Sequence, residues 1–267
     1  MQIKRREFIG SAMAFAGIAS AQEGGAPHAG DAPVRTPKVE KVFLSPDKHP
    51  NALEATRDGL WIGDQVSERI HHVDWKTGKV LHEVQGYAHN TSGVAVGAGY
   101  LWISANGSSR DRRSPRPQDN DSSEVMQADL KTGKTIKVHK LPWPGGLHGI
   151  TYVEQTGTLW LTALGLNALA EMSPADFRVL RMIPVKYPRA HGVDWSSGSL
   201  WCLFSSDRLV QRLDPTTGRV LETVKFANTD PDPHGMCIHD GYMYYCDAGL
   251  TATSPGTAPG AICRFKL

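Results

Sequence analysis

The sequence predicts an all-β fold, a five-bladed β-propeller of four-stranded antiparallel blades whose last blade is closed by the N-terminal strand. Three observations predict it. A Leu-Trp strand recurs as Gly59-Leu60-Trp61-Ile62, Tyr100-Leu101-Trp102-Ile103, Thr158-Leu159-Trp160-Leu161 and Ser199-Leu200-Trp201-Cys202, with Tyr242-Met243-Tyr244-Tyr245 as a worn fifth copy. An Asp-x-x-Thr-Gly turn follows it, at Asp74–Gly78, Asp129–Gly133 and Asp214–Gly218, and a weaker version begins at Ser173. The last repeat stops after a third strand at Gly260–Leu267, while Lys38–Leu44 stands unclaimed at the other end. Short strands spaced by turn signals and repeated about every 43 residues read as propeller blades.

Taken in order, residues 1–21 read as an export signal. Lys4-Arg5-Arg6-Glu7-Phe8-Ile9 precedes a mildly apolar stretch, and Ala19-Ser20-Ala21 offers a small-x-small cleavage site. The paired arginines before x-Phe-Ile resemble a twin-arginine signal, which implies a periplasmic or secreted protein of a prokaryote. Asn90-Thr91-Ser92 and Asn106-Gly107-Ser108 therefore carry little weight as glycosylation sites. Residues 22–37 are rich in Gly, Ala and Pro without periodicity and read as a flexible tether. The propeller spans 38–267. Within each unit a Gly turn leads into the Leu-Trp strand, and the Asp of the Thr-Gly turn closes a side-chain turn while Gly supplies a positive φ. The tryptophans recur with the blade and are assigned to packing between blades.

Composition narrows the function. Of 267 residues 40% are apolar and 21% charged, a globular balance. Three of the 29 basic and one of the 27 acidic residues fall in the leader, so the mature chain carries 26 of each. A neutral chain without a basic block is a poor binder of nucleic acid. No apolar run after the leader approaches the roughly 18 residues of a membrane span, so membrane insertion is not expected. A small-molecule substrate and a monomer are expected. The four cysteines, Cys202, Cys237, Cys246 and Cys263, fall in the last two blades. An exported chain can oxidise Cys246 with Cys263, and buried free thiols suit the pattern equally.

One register carries chemistry. His148, His191 and His234 are spaced 43 residues apart, each followed by Gly, at the start of three consecutive innermost strands; Asn51 and Ser92 hold this position in the first two blades. Three imidazoles directed at one axis suit a divalent metal (Zn, Fe, Mn, Cu or Mg) or general acid–base work near neutral pH. They also suit a structural reading, in which His-Gly is a blade element whose Gly permits close approach. His89 and His49 lie near the same register, and Asp64 and Asp247 end equivalent second strands at the same face. Asp247 is a candidate catalytic carboxylate beside the histidines; Asn51, His89, Ser92 and Asp64 are candidate substrate-binding residues. Glu171, in a third strand, reads as a paired core charge. Long loops at 104–124 and 247–259 should overhang the histidines, and Arg110, Arg112, Arg113 and Arg116 in the first are candidates for an anionic group.

The residues His148-Gly149-Ile150, His191-Gly192-Val193, the Leu-Trp strands and Arg212-Leu213-Asp214-Pro215-Thr216-Thr217-Gly218-Arg219-Val220 resemble the streptogramin B (virginiamycin B) lyase superfamily of propellers over roughly residues 39–267. The resemblance implies eliminative ring opening or hydrolysis of an ester- or lactone-like bond. It implies a divalent metal polarising a carbonyl and a His or carboxylate moving the proton. A non-catalytic propeller that binds a ligand or protein at its mouth is the alternative.

Overall fold

In the innermost strand of every blade the ladder slips where the sequence carries its His, Asn or Ser, and that slip positions everything at the channel mouth. The computed structural model describes residues 32–86, 88–107, 114, 122–247, 250–251, 254–255 and 260–267. The expected leader and most of both long loops, with Arg110, Arg112, Arg113 and Arg116, lie outside the described residues.

Five four-stranded antiparallel sheets follow one another in sequence. Their innermost strands are Pro50–Thr56, Thr91–Gly97, Leu147–Val153, Ala190–Ser196 and Pro233–His239, and the Leu-Trp segments form the second strands. The first four blades are finished by their own third and fourth strands. The fifth takes Ala261–Lys266 as its third strand and Glu40–Leu44 from the N-terminal side as its fourth, pairing Glu40 with Arg264 and Leu44 with Ala261. This is the predicted closure. Val39 packs against the cluster that contains Phe265 and Cys263, whereas Val42 and Phe43 pack against the one that contains Ile262 and Leu60, so the closing segment joins two core clusters.

The tether reading fails at its C-terminal end. Val34–Arg35 adds a parallel fifth strand to the outer edge of the fourth blade, opposite Thr223 and Val224. Arg35 fixes it by an ion pair of 2.6 Å to Glu222 and lies over the Phe265 ring of the fifth blade. The Gly/Ala/Pro composition of residues 22–37 hid two strand residues whose hydrogen bonds are supplied by an open blade edge.

The repeated turns work as expected. Asp74 Oδ1 accepts from Thr77 N at 2.9 Å and from Thr77 Oγ1 at 2.7 Å, and Asp129 and Asp214 brace their turns in the same way. Gly78, Gly133 and Gly218 have φ of 68°, 69° and 74°, while the worn third-blade copy puts Phe177 there at φ 58°, its ring stacked on His139. Trp61, Trp102, Trp160 and Trp201 are all buried, and the guanidinium of Arg181 lies over Trp160 as that of Arg212 does over Trp201. Glu171 is paired as expected, with Arg181 Nε at 2.6 Å and Thr158 Oγ1 at 2.9 Å.

All four cysteines are buried free thiols. Cys246 stands opposite Ile262 and Cys263 opposite Tyr245, so the two occupy neighbouring register positions. Side chains of such positions alternate between sheet faces, and the two thiols fall in different core clusters. That separates the pair an oxidised form would need. Burial pushes the Cys263 thiol up to about 11 and raises the other three as well, as inert core thiols require.

Two side-chain staples tie the inner strands together below the mouth. Glu54 Oε1 accepts from Val96 N of the second blade at 3.2 Å. Asp194 joins three blades, accepting from Thr151 Oγ1 of the third at 3.1 Å, from Trp195 N of its own strand at 2.6 Å, and from Ile238 N of the fifth at 2.6 Å. Above them the inner strands approach so closely that the glycine after each histidine is obligatory. A Cβ on Gly235 would lie 2.5 Å from Asn51 O and 2.7 Å from Ala52 Cα, both backbone atoms of the first blade. Gly235→Ala is therefore expected to cost about 3 kcal/mol or more in urea unfolding, at the upper end of overpacking penalties, because it wedges the fifth blade from the first. An unchanged unfolding midpoint would show that the seam can part without cost.

Candidate functional site

The second residue of each inner strand is left out of its ladder. Pairing jumps from Pro50 to Ala52, Thr91 to Gly93, Leu147 to Ile150, Ala190 to Gly192 and Pro233 to Met236. A bulge of this kind re-aims a side chain out of the regular alternation. In the third blade the slip is fixed by Thr162, whose hydroxyl oxygen accepts from His148 N at 3.1 Å and Gly149 N at 3.0 Å.

The three histidines meet as the sequence spacing implies. The His148 and His191 rings are 4.2 Å apart between centroids at 63°, and those of His191 and His234 are 4.8 Å apart at 78°. His191, at the centre, is 1% exposed and lines the axial channel with Ser92, Gly149, Gly192 and Gly235.

Each ring has a different environment. For His148, Asn106 Oδ1 accepts from Leu147 N at 3.2 Å, which turns the Asn106 amide nitrogen toward His148 Nε2 at 2.8 Å. The amide donates, so Nε2 accepts and the neutral His148 carries its proton on Nδ1. His234 is the reverse case. Its Nδ1 faces only acceptors of Asp232, the carbonyl at 3.3 Å and Oδ2 at 3.5 Å, so Nδ1 holds the proton and Nε2 keeps its lone pair. Asp232 is held by Arg208 Nη1 at 3.0 Å, and Arg208 Nη2 also donates to the carbonyls of Ala227 and Asp230. The Nδ1 of His191 is buried without a hydrogen-bond partner among the described residues.

Burial sets the protonation. It pushes His191 well below the usual imidazole range, and the neighbouring His148, His234 and Arg189 push the same way. His234 is also lowered, burial outweighing the pull of Asp232. Both rings are neutral at pH 7.

The metal expectation is not met by this arrangement. Among the described residues no group of three or more His, Cys, Asp or Glu is disposed to hold a metal ion. The reason lies in the rings, which meet edge to face in pairs, with the His148 Nε2 lone pair committed to the Asn106 amide. The donor set does not fit a divalent ion as it stands.

The other sequence candidates divide. Asp247 pairs with Pro233 across the ladder, and its charge raises the pKa of His234, so it belongs to this mouth. Asp64 does not act there: Oδ2 accepts from His49 N at 2.6 Å, and Oδ1 accepts from Val66 N at 2.9 Å and Ser67 N at 2.8 Å, so both oxygens brace their own turn. Asn51 is a staple, donating from Nδ2 to Thr91 O at 3.2 Å, and the Ser92 hydroxyl donates to Asn90 O at 2.9 Å. His89 is buried near the same rim. Asn106, Asp232 and Arg208 were not legible as site residues. Asp232 had one signal, the Pro231-Asp232-Pro233 run that stiffens the approach to His234.

Among solved structures the chain is similar to the Myxococcus xanthus glutaminyl cyclase, at 11% identity and a TM-score of 0.63 over 89% of this chain and 100% of that one. It is similar to a streptogramin B lyase at 17% identity and TM-score 0.50, over 86% and 87% of the two chains. A luciferin-regenerating enzyme matches at 14% identity and TM-score 0.51, over 86% and 95%. At these identities the likeness shows a shared β-propeller fold. No protein-family model and no curated protein matches the chain.

Proposed function

We propose that this propeller is an exported enzyme that performs general acid–base chemistry at its histidine mouth, as a lyase or hydrolase opening an ester- or lactone-like bond of a small molecule. The observation that carries the reading is the unpartnered Nδ1 of His191, buried in the channel wall between two histidines whose tautomers are fixed by Asn106 and Asp232. A buried polar group left without a partner costs about 1–3 kcal/mol, a cost that a bound ligand would offset. Three enzymes with the same fold support the class of function by analogy.

His234 is the base. The Asp232 backbone carbonyl holds the proton on Nδ1 and leaves Nε2 as acceptor, while the Asp232 carboxylate 3.5 Å away adds negative charge, an arrangement suited to proton transfer. His191 beside it is the second neutral imidazole in reach of a ligand in the channel. Asp247 adds negative charge near His234 and stabilises the imidazolium formed when the proton is taken.

The test is turnover of a panel of aryl esters and lactones by the mature protein. His234→Ala is expected to lower kcat/KM about 10²–10⁴-fold, the usual contribution of a general base. Turnover unaffected by this change overturns the assignment of His234. No turnover across the panel favours the non-catalytic binding propeller.

The pH profile follows from the direction of the shift. His234 is lowered, so the active neutral form persists below its ordinary 6.5 and the acid limb of kcat/KM falls at lower pH than for a free imidazole. Asp232 raises His234, so Asp232→Asn should displace that limb further toward acid. Movement toward alkaline pH would show that Asp232 does not act through this ring.

A further inference from the structure

Two groups at the mouth lack a hydrogen-bond partner among the described residues, one of them at its buried Nδ1, and they lie two residues apart in the chain. One is His191. The other is Arg189, two residues ahead of it on the segment that enters the fourth inner strand, exposed and without a hydrogen bond, ion pair or cation–π contact. Its charge acts on both His191 and His234.

The surrounding charges are otherwise settled. Asp232 is taken by Arg208 at 3.0 Å, so it does not neutralise Arg189. Asp232 and Asp247 act on His234, whereas the side chains that act most on His191 are His148, His234 and Arg189. On the His191 side the charge is that of Arg189, beside a neutral imidazole whose Nδ1 is buried without a hydrogen-bond partner.

We propose that this side of the mouth binds an oxyanion of the substrate, a carboxylate or phosphate group, anchored by Arg189 and placed against His191. The inference rests on the reading of the mouth as the site of reaction and names the substrate class: a small molecule carrying an anionic group beside the bond whose cleavage His234 assists as a base. A guanidinium presents paired donors that match the two oxygens of either anion, which a lone imidazole does not. The anion would also supply an acceptor to the His191 ring.

The experiment is a titration of the full mature chain with sodium acetate and, separately, sodium phosphate at constant ionic strength, followed through the histidine ring resonances by NMR. The expected result is a saturable shift of His191 and His234 with at least one of the two anions, the responding arm naming carboxylate or phosphate. Arg189→Gln should weaken that binding about tenfold or more, the scale of a charge-assisted hydrogen bond. Arg219→Gln, an exposed arginine on an Asp-x-x-Thr-Gly turn, should leave it unchanged. Non-saturating shifts with both anions, or equal affinity in wild type and Arg189→Gln, overturn the proposal. Its failure is separable from failure of the enzymatic reading. Arg189-dependent anion binding without turnover leaves the subsite standing and removes the enzyme; His234-dependent turnover of neutral esters without anion binding does the reverse.

Discussion

Truncation of residues 1–44 should leave a chain without a cooperative thermal transition, whereas truncation of residues 1–37 should lower the melting temperature by only a few degrees. The larger cut removes the fourth strand of the fifth blade and exposes Ala261–Lys266 as an open edge. It strips Val39, Val42 and Phe43 from two core clusters, uncovering Phe265 and Ile262, now at 1% and 0% exposure. It also frees the blade at the point where the ring closes on itself, so the loss is felt on both sides of the seam. The smaller cut removes the Val34–Arg35 strand and the Arg35–Glu222 ion pair. Half-exposed ion pairs contribute about 1 kcal/mol or less, and 1 kcal/mol moves the midpoint of a domain this size by about 2–4 °C. Calorimetry of the two truncations decides it: equal midpoints would mean that the strand at residues 40–44 decorates the fifth blade without closing it.

Closure was legible because blade repeats leave a deficit that can be counted. The Leu-Trp strands and Thr-Gly turns are local signals, fixed by strand propensity and by the φ a turn demands, and they appear where their residues occur. The small strand at Val34–Arg35 carries no such signal. It exists because the fourth blade offers an edge, a tertiary fact that composition cannot report. The candidate site divides along the same line. The 43-residue spacing placed His148, His191 and His234 at one level of one channel because a repeat converts sequence register into spatial register. The partners that set their tautomers come from outside the register: Asn106 from the loop after a second strand, Asp232 from the segment before an inner strand, Arg208 from a turn in the neighbouring blade. Asp64 misled for the complementary reason. It stands at the equivalent of Asp247, yet the first blade turns tightly after it and its carboxylate is consumed by the N–H groups of Val66 and Ser67. The metal expectation counted imidazoles, and their ring orientations depend on those same unregistered partners.

Asp194→Asn should remove a large part of the pH dependence of stability between about pH 4 and pH 7. Asp194 is buried at the seam of three inner strands, and burial raises it from 3.8 to about 6 against the lowering effect of its hydrogen bonds from Trp195, Ile238 and Thr151. A carboxyl with a raised folded pKa favours the native state most while it is neutral. Its contribution is full below the unfolded value near 3.8 and is lost as pH climbs through about 6. A shift of that size corresponds to about 3 kcal/mol, at 1.36 kcal/mol per pK unit. The groups that share its surroundings do not cancel it. Glu54 is raised by burial and by Asp194 itself, so it acts with the same sign, and the Cys237 thiol is pushed upward and stays neutral throughout. Asp47, held low by His71, Ser67 and Arg69, loses its contribution only as pH falls below the ordinary carboxylate range, outside this window. Asparagine keeps one acceptor and never ionises. It should be the less stable protein near pH 4, where it leaves one of the three donors unpaired without any gain. The gap to wild type should then narrow by about 3 kcal/mol, or reverse, by pH 7 as the wild-type carboxylate ionises in a buried site. Urea unfolding of both proteins at half-unit pH steps measures the gap directly. A gap that stays constant from pH 4 to pH 7 would mean that Asp194 is already ionised in the native state at pH 4, and that the staple joining the third, fourth and fifth blades is a charged one.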